Sequence, residues 1–160
     1  MESVYVETTV ISYLVSRPSR DILIAAHQQV TNEWWENRRQ EFECFISQVV
    51  LDEIQAGDPH VAKKRLQEAI NFQVLEATVA AERLTHEIMA SGVIPEKAVG
   101  DAAHIAIAAV NEMDYLLTWN CRHLANAQLI RRVSMICNKK GFNMPVICTP
   151  EELMGGYANA

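Results

Sequence analysis

The sequence holds no Cys-x-x-Cys pair: Cys44, Cys121, Cys137 and Cys148 are scattered along its 160 residues, and no His-Glu-x-x-His spacing offers a zinc site. Four free thiols packing as small apolar groups are expected, in a reducing compartment. No uncharged apolar run approaches the roughly 18 residues of a bilayer span, so no membrane association is expected. The start lacks the basic, apolar and small-residue segments of an export signal, which gives a cytoplasmic expectation. Missing too are Gly-x-Gly-x-x-Gly and Gly-x-x-x-x-Gly-Lys-Ser/Thr loops, which excludes the common nucleotide-binding enzymes. Glu7-Thr8-Thr9 supplies no Asp for aspartyl phosphoryl transfer. Positive charge is in the minority, 14 basic against 20 acidic residues for a net charge of -6. A chain of that sign does not coat nucleic acid by bulk electrostatics, so any nucleic acid must be held by a local basic patch or through bound cations. With no repeat, low-complexity segment or linker, residues 1–160 read as a single domain large enough for its own core.

What is present is an alternation of strand and helix signals. Val4-Tyr5-Val6 is β-branched and aromatic, and Thr8 or Thr9 can cap a helix through Leu14. Apolar residues at helical spacing predict a long amphipathic helix from Arg20 to about Gln40. Phe42 to Ile46 reads as a strand, Ser47 as a cap, and the next short helix carries Glu53 and closes at Gly57. Pro59 opens a helix to Ile70, Phe72 to Leu75 resembles a strand, and Thr78 caps a helix reaching Met89. The Ala-rich segment Ala98 to Val110 favours helix, with Asp101 near its first turn. Tyr115 to Thr118 is a buried strand, and a helix from about Leu124 to Lys139 and a last strand, Val146 to Cys148, follow. Pro150, Glu151 and Glu152 begin a terminal helix that Gly155-Gly156 ends. Strands alternating with helices predict an α/β domain of three layers, α/β/α, with a central, mostly parallel sheet.

In such sheets the ligand site lies beyond the carboxyl ends of the strands, at a switch in strand order. Glu7 follows the first strand, Glu53 lies a helical turn beyond the second, Thr118 and Asn120 follow the fourth, and Asp101 opens the helix leading into it. Carboxylates gathered without a cation repel one another. Oxygen ligands from Asp, Glu and Asn suit magnesium or manganese, which commonly bind phosphate oxygens and water together. Phosphodiester hydrolysis by metal-activated water is the matching reaction.

Three segments resemble the successive motifs of PIN-domain proteins, particularly VapC-type toxins: Val4 to Leu14 around Glu7, Gly100 to Ala108 around Asp101, and Asp114 to Asn120. The resemblance runs from about Val4 to Cys148. It implies a magnesium- or manganese-dependent ribonuclease acting on RNA, a parallel central sheet, a cognate antitoxin protein, and a homodimer made by surface helices such as Arg20 to Gln40. By position the four metal-binding and catalytic residues fall on Glu7, Glu53, Asp101 and Asn120. Two depart from the family pattern: Glu7 where Asp is usual, longer by a methylene, and Asn120 where Asp is usual, which loses a formal charge. Thr118 and Arg122 are the expected substrate contacts. The alternative is a catalytically weak PIN-like module that binds RNA or protein.

Each residue also has a plainer reading. Glu7 and Asp101 can be helix-dipole partners, Asp52 competes with Glu53, and Asn120 can be a turn former. His104 stands three residues after Asp101, and its Ala- and Ile-rich surroundings point to a packed, hydrogen-bonded histidine rather than a base. Trp34-Trp35 reads as a helix or interface anchor before a base-stacking pair. Lys63-Lys64-Arg65, Arg131-Arg132 and Lys139-Lys140 can contact phosphates or form solvated helix faces.

Overall fold

The computed structural model describes residues 1–155. Strands β1 (Ser3–Val6), β2 (Glu43–Ser47), β3 (Gln73–Leu75), β4 (Tyr115–Leu117) and β5 (Val146–Cys148) form one sheet in the order β3-β2-β1-β4-β5. Every pairing is parallel, with Tyr5 in register with Phe45 on one side and Leu116 on the other. The central strand is apolar at consecutive positions because both its faces are covered, and Val4, Tyr5 and Val6 are fully buried. The expected α/β/α domain is therefore present, and all of its sheet is parallel.

Among the described residues, seven helices cover the faces: α1 (Thr8–Val15), α2 (Ile22–Asn37), α3 (Gln48–Ile54), α4 (Pro59–Ala69), α5 (Val79–Ala90), α6 (Val99–Val110) and α7 (Ala127–Lys139). Helices α1, α2 and α4 pack together, as do α5, α6 and α7. Polar caps fix most of their starts: Asp21, Ser47, Asp58, Thr78 and Asn126 each accept a backbone N–H of the first turn. Trp34 of α2 is buried in the core and Trp35 packs edge-on against Phe72, so this pair anchors a helix as its plainer reading held. The four cysteines are free; Cys137 and Cys148 are buried, and desolvation pushes their thiols up to about 11 and about 12. None of the described helices is long and apolar enough to cross a membrane.

Four boundaries differ from the sequence reading, each for a local reason. The cap of α1 is Glu7, not Thr8 or Thr9: the Glu7 N–H still bonds to Leu117 of β4, which keeps its backbone extended, while its carboxylate takes the Thr9 N–H. The long helix starts at Ile22 under the Asp21 cap and stops at Asn37, giving way to a short 3-10 turn at Arg39–Glu41. Helix α7 starts at Ala127 rather than Leu124, because Asn126 caps it and the Asn120 amide oxygen holds the preceding turn. After Pro150 the chain forms turns in place of a helix: Thr149 and Glu152 cap one another, and the turns reach Gly155 with φ 114°. Gly156, the other half of the expected stop, lies outside the described residues.

Candidate metal centre

Strand order reverses between β1 and β4, since the chain steps from β1 to β2 and β3 on one side and from β4 to β5 on the other. The carboxyl ends of β1 and β4 bound the crevice where ligands of open parallel sheets bind. Glu7 stands there, one residue beyond β1 and only 2% exposed. Its Oε2 accepts from the Thr9 N–H at 3.0 Å, the Thr9 hydroxyl at 2.5 Å and the Thr118 hydroxyl at 2.8 Å. Those two hydroxyls in turn accept the backbone N–H groups of Trp119 and Asn120, each at 2.9 Å. The end of β4 thus holds Glu7 through two threonines. Thr118, expected at the substrate, is fully buried with its hydroxyl committed, so it positions Glu7 instead.

A second set of contacts runs under the crevice. Tyr5 lies two residues before Glu7 on the same sheet face, and its Oη is 2.7 Å from both Ser47 Oγ and His104 Nδ1. His104 Nε2 lies 2.5 Å from Glu53 Oε1, an ion pair whose angle falls outside hydrogen-bond geometry. The Thr8 hydroxyl donates to the same oxygen at 3.2 Å. Asp101, in the first turn of α6, meets His123 Nδ1 at 3.1 Å through Oδ2.

These contacts set the charge states. Burial raises the Glu7 carboxyl, and the charge of His104 and the threonine donors oppose it without cancelling it. Burial acts on His104 toward the neutral form, yet Glu53, Glu7 and Asp101 together outweigh it and raise its pKa. Desolvation acts to raise Glu53, but its contact with His104 and the His104 charge win and lower it. The acids thus favour the charged form of His104, whose Nδ1 shares a hydrogen bond with Tyr5, and Tyr5 stays a neutral phenol because burial raises it strongly. The reading of His104 as packed and hydrogen-bonded holds, and its ion pair with Glu53 across the sheet edge has no signal in the sequence.

The donor set can be compared with what a hard cation needs. Glu7 Oε1, Glu53 Oε2 and Asp101 Oδ1 make no hydrogen bond among the described residues, so each acid keeps one oxygen for another partner. The three acids are neighbours through the chain beside them: Thr8, next to Glu7, bonds Glu53, and Gly100, next to Asp101, lies against Glu53. No three metal-ligating side chains among the described residues already stand as a coordination cluster. Oxygen-only donors with free lone pairs fit magnesium or manganese in chemistry. Gly100 lies against Glu53: an added Cβ would stand 4.0 Å from Oε2, in ordinary van der Waals contact.

Asn120 meets the site differently. Its Oδ1 accepts the backbone N–H groups of Arg122 and His123 at 3.2 and 3.0 Å, while Nδ2 has no partner among the described residues. Arg122 follows with an exposed side chain. Residues that the motifs alone did not single out are Tyr5, Thr9, Ser47 and His123. Tyr5 carried a usable signal, sharing the two-residue strand period with Glu7. Contacts across 109 to 111 residues of chain, such as Thr9 or Glu7 with Thr118, carried none.

No protein-family model matches the chain, and no curated protein matches it in sequence. Solved structures match it in fold. A chain of the VapBC2 structure from Rickettsia felis, bound to a promoter DNA fragment, superimposes with a TM-score of 0.60 at 13% identity, covering 91% of this chain and 97% of that one. A chain of DNA-bound VapBC from Salmonella typhimurium gives a TM-score of 0.56 at 13% identity, covering 94% and 99%. These likenesses show that the chain shares the α/β/α fold of a chain in each of these two VapBC structures.

Proposed function

We propose that the chain is a metal-dependent endoribonuclease and the toxin of a toxin–antitoxin pair. The observation that carries the reading is the placement of Glu7, Glu53 and Asp101, each with one unengaged oxygen, beside one another at the switch in strand order. In this proposal Glu7, Asp101 and Glu53, with Asn120, hold magnesium or manganese. An ion held there would supply Lewis-acid activation of water and would offset charge on the scissile phosphate. The protein's part is positioning: Thr9 and Thr118 fix the Glu7 carboxylate, Thr8 and His104 fix Glu53, and His123 fixes Asp101. Arg122, exposed beside Asn120, is placed for a phosphate.

An antitoxin protein as partner is supported by the VapBC neighbours, and a second copy of the chain and a cytoplasmic setting belong to the same proposal. Helix α2 has exposed apolar residues to offer a protein partner at its start, Ile22 and Leu23. The proposal is tested by expressing the chain with and without its neighbouring gene product. Growth arrest with RNA degradation, relieved by the neighbour, is expected; unchanged growth and intact RNA in its absence overturn the toxin reading.

Asn120 provides a prediction of its own. Its Nδ2 is a donor and cannot bind a cation, so Asn120 would reach the metal only through Oδ1, which two backbone N–H groups share, and the departure from Asp weakens the site on one side. Asn120→Asp keeps an oxygen for the two backbone N–H groups and puts a second oxygen where Nδ2 stands. Calorimetry should show tighter magnesium binding in the variant, from the added Coulomb attraction; equal or weaker affinity removes Asn120 from the ligand set.

A further inference from the structure

Although the chain is acidic overall, a groove of about 650 Å³ beside the acids is lined by Arg122, Arg131 and Arg132 with no carboxylate among its lining residues. Its floor and rim include Val93, His123 and Asn126. His123 is the residue that meets Asp101, so one wall of the groove is in direct contact with the candidate metal centre. A second hollow shares Val93 and Arg132 with it and continues along α7 to Lys139, again without an acidic lining residue. Positions 128, 131 and 132 share one helix face by their three- and four-residue spacing, which turns both arginines of the pair toward the same side. Neither arginine makes an ion pair or a side-chain hydrogen bond among the described residues, although the chain carries 20 acidic residues to supply one. By contrast Lys140, just past the end of the lane, is paired with Glu87 at 3.4 Å.

We infer that this groove is a lane for the phosphodiester backbone of single-stranded RNA, running from the acids along α7, with Arg131 and Arg132 gripping phosphates remote from the cleaved bond. The inference rests on the ribonuclease reading for the identity of its ligand. It supplies what the net charge of -6 withholds, a local basic track that holds a polyanion whose cleaved phosphate must approach three carboxylates. Planar guanidinium groups suit that task, since each can take two phosphate oxygens at once. Holding a strand at several phosphates selects long RNA over dinucleotides without reading its bases.

The test is binding of a ten-nucleotide single-stranded RNA to the full chain in excess chelator, followed by fluorescence anisotropy across a salt series. Three proteins are compared: the parent, Arg131→Gln/Arg132→Gln, and Lys63→Gln/Lys64→Gln, which removes the same charge from α4. The arginine pair should bind about tenfold more weakly near 0.1 M salt, with the slope of log affinity against log salt shallower by about 1.4. The lysine pair should bind as the parent does, and equal melting temperatures would exclude misfolding. Parent-like affinity in the arginine pair, or an equal loss in both variants, overturns the lane. Cleavage of the same RNA by the parent with magnesium is scored separately. A parent that binds through Arg131 and Arg132 but never cleaves keeps the lane and removes the ribonuclease reading.

Discussion

Replacing His104 with glutamine should cost about 3 kcal/mol of folding stability, measured by denaturant unfolding near pH 6. The magnitude follows from breaking a buried ion pair, which costs about 3–5 kcal/mol when one charge is left behind, taken at its low end because Glu53 is partly solvated. Glutamine retains most of the volume and can still bond Tyr5, so the loss reports the charge. A neutral, merely packed histidine would lose only about 1 kcal/mol, the worth of one hydrogen bond. The pH dependence separates the two further. His104 has a folded pKa raised above its unfolded value of about 6.5, so the stability it contributes is fully present below that value and is lost as pH rises through the folded pKa. The parent should weaken over that alkaline window while the variant stays flat, and the gap between them should close. A gap independent of pH would show that His104 is uncharged.

The second large effect is on activity. Asp101→Asn should lower metal-dependent RNA cleavage by at least about hundredfold, since even residues that only support metal ligands cost about 10–100-fold when replaced. Stability without metal should change by no more than about 1 kcal/mol. Loss of the His123 contact and of a favourable first-turn charge on α6 is offset by relief of repulsion from Glu7 and Glu53. Magnesium should raise the melting temperature of the parent by mass action and raise that of the variant much less. An intact magnesium shift in the variant, together with a destabilised fold, would make Asp101 an ordinary helix-terminal acid and remove it from the site.

The sheet was legible because its strands carry short apolar runs and most of its helices open on Ser, Thr, Asp or Asn caps, signals that act within a few residues. Glu7 shows where local reading stops. Thr8 and Thr9 are better caps by type, but the hydrogen bond from Glu7 to Leu117 holds its backbone extended at the last position before the helix, so the acid caps and serves the site at once. The terminal helix failed for the opposite reason: Thr149 and Glu152 cap one another as at a helix start, yet Gly155 follows three residues later and leaves room only for turns. At the site, the acids were named from where strands end. Their wiring was not, because Tyr5, Ser47, Glu53 and His104 meet only once α3 and α6 pack beside β1 and β2. Thr118 was assigned to substrate for the same reason, since nothing in its neighbours along the chain tells that Glu7 takes its hydroxyl.

The most direct test of the account is cleavage of single-stranded RNA by the purified chain with magnesium or manganese, with excess EDTA, and with metal restored. Because the candidate site offers carboxylate and amide groups and a histidine already committed to Tyr5 and Glu53, cleavage should appear with either metal, stop with chelator and return on replenishment. Undiminished cleavage in EDTA, or none with either metal, would contradict it.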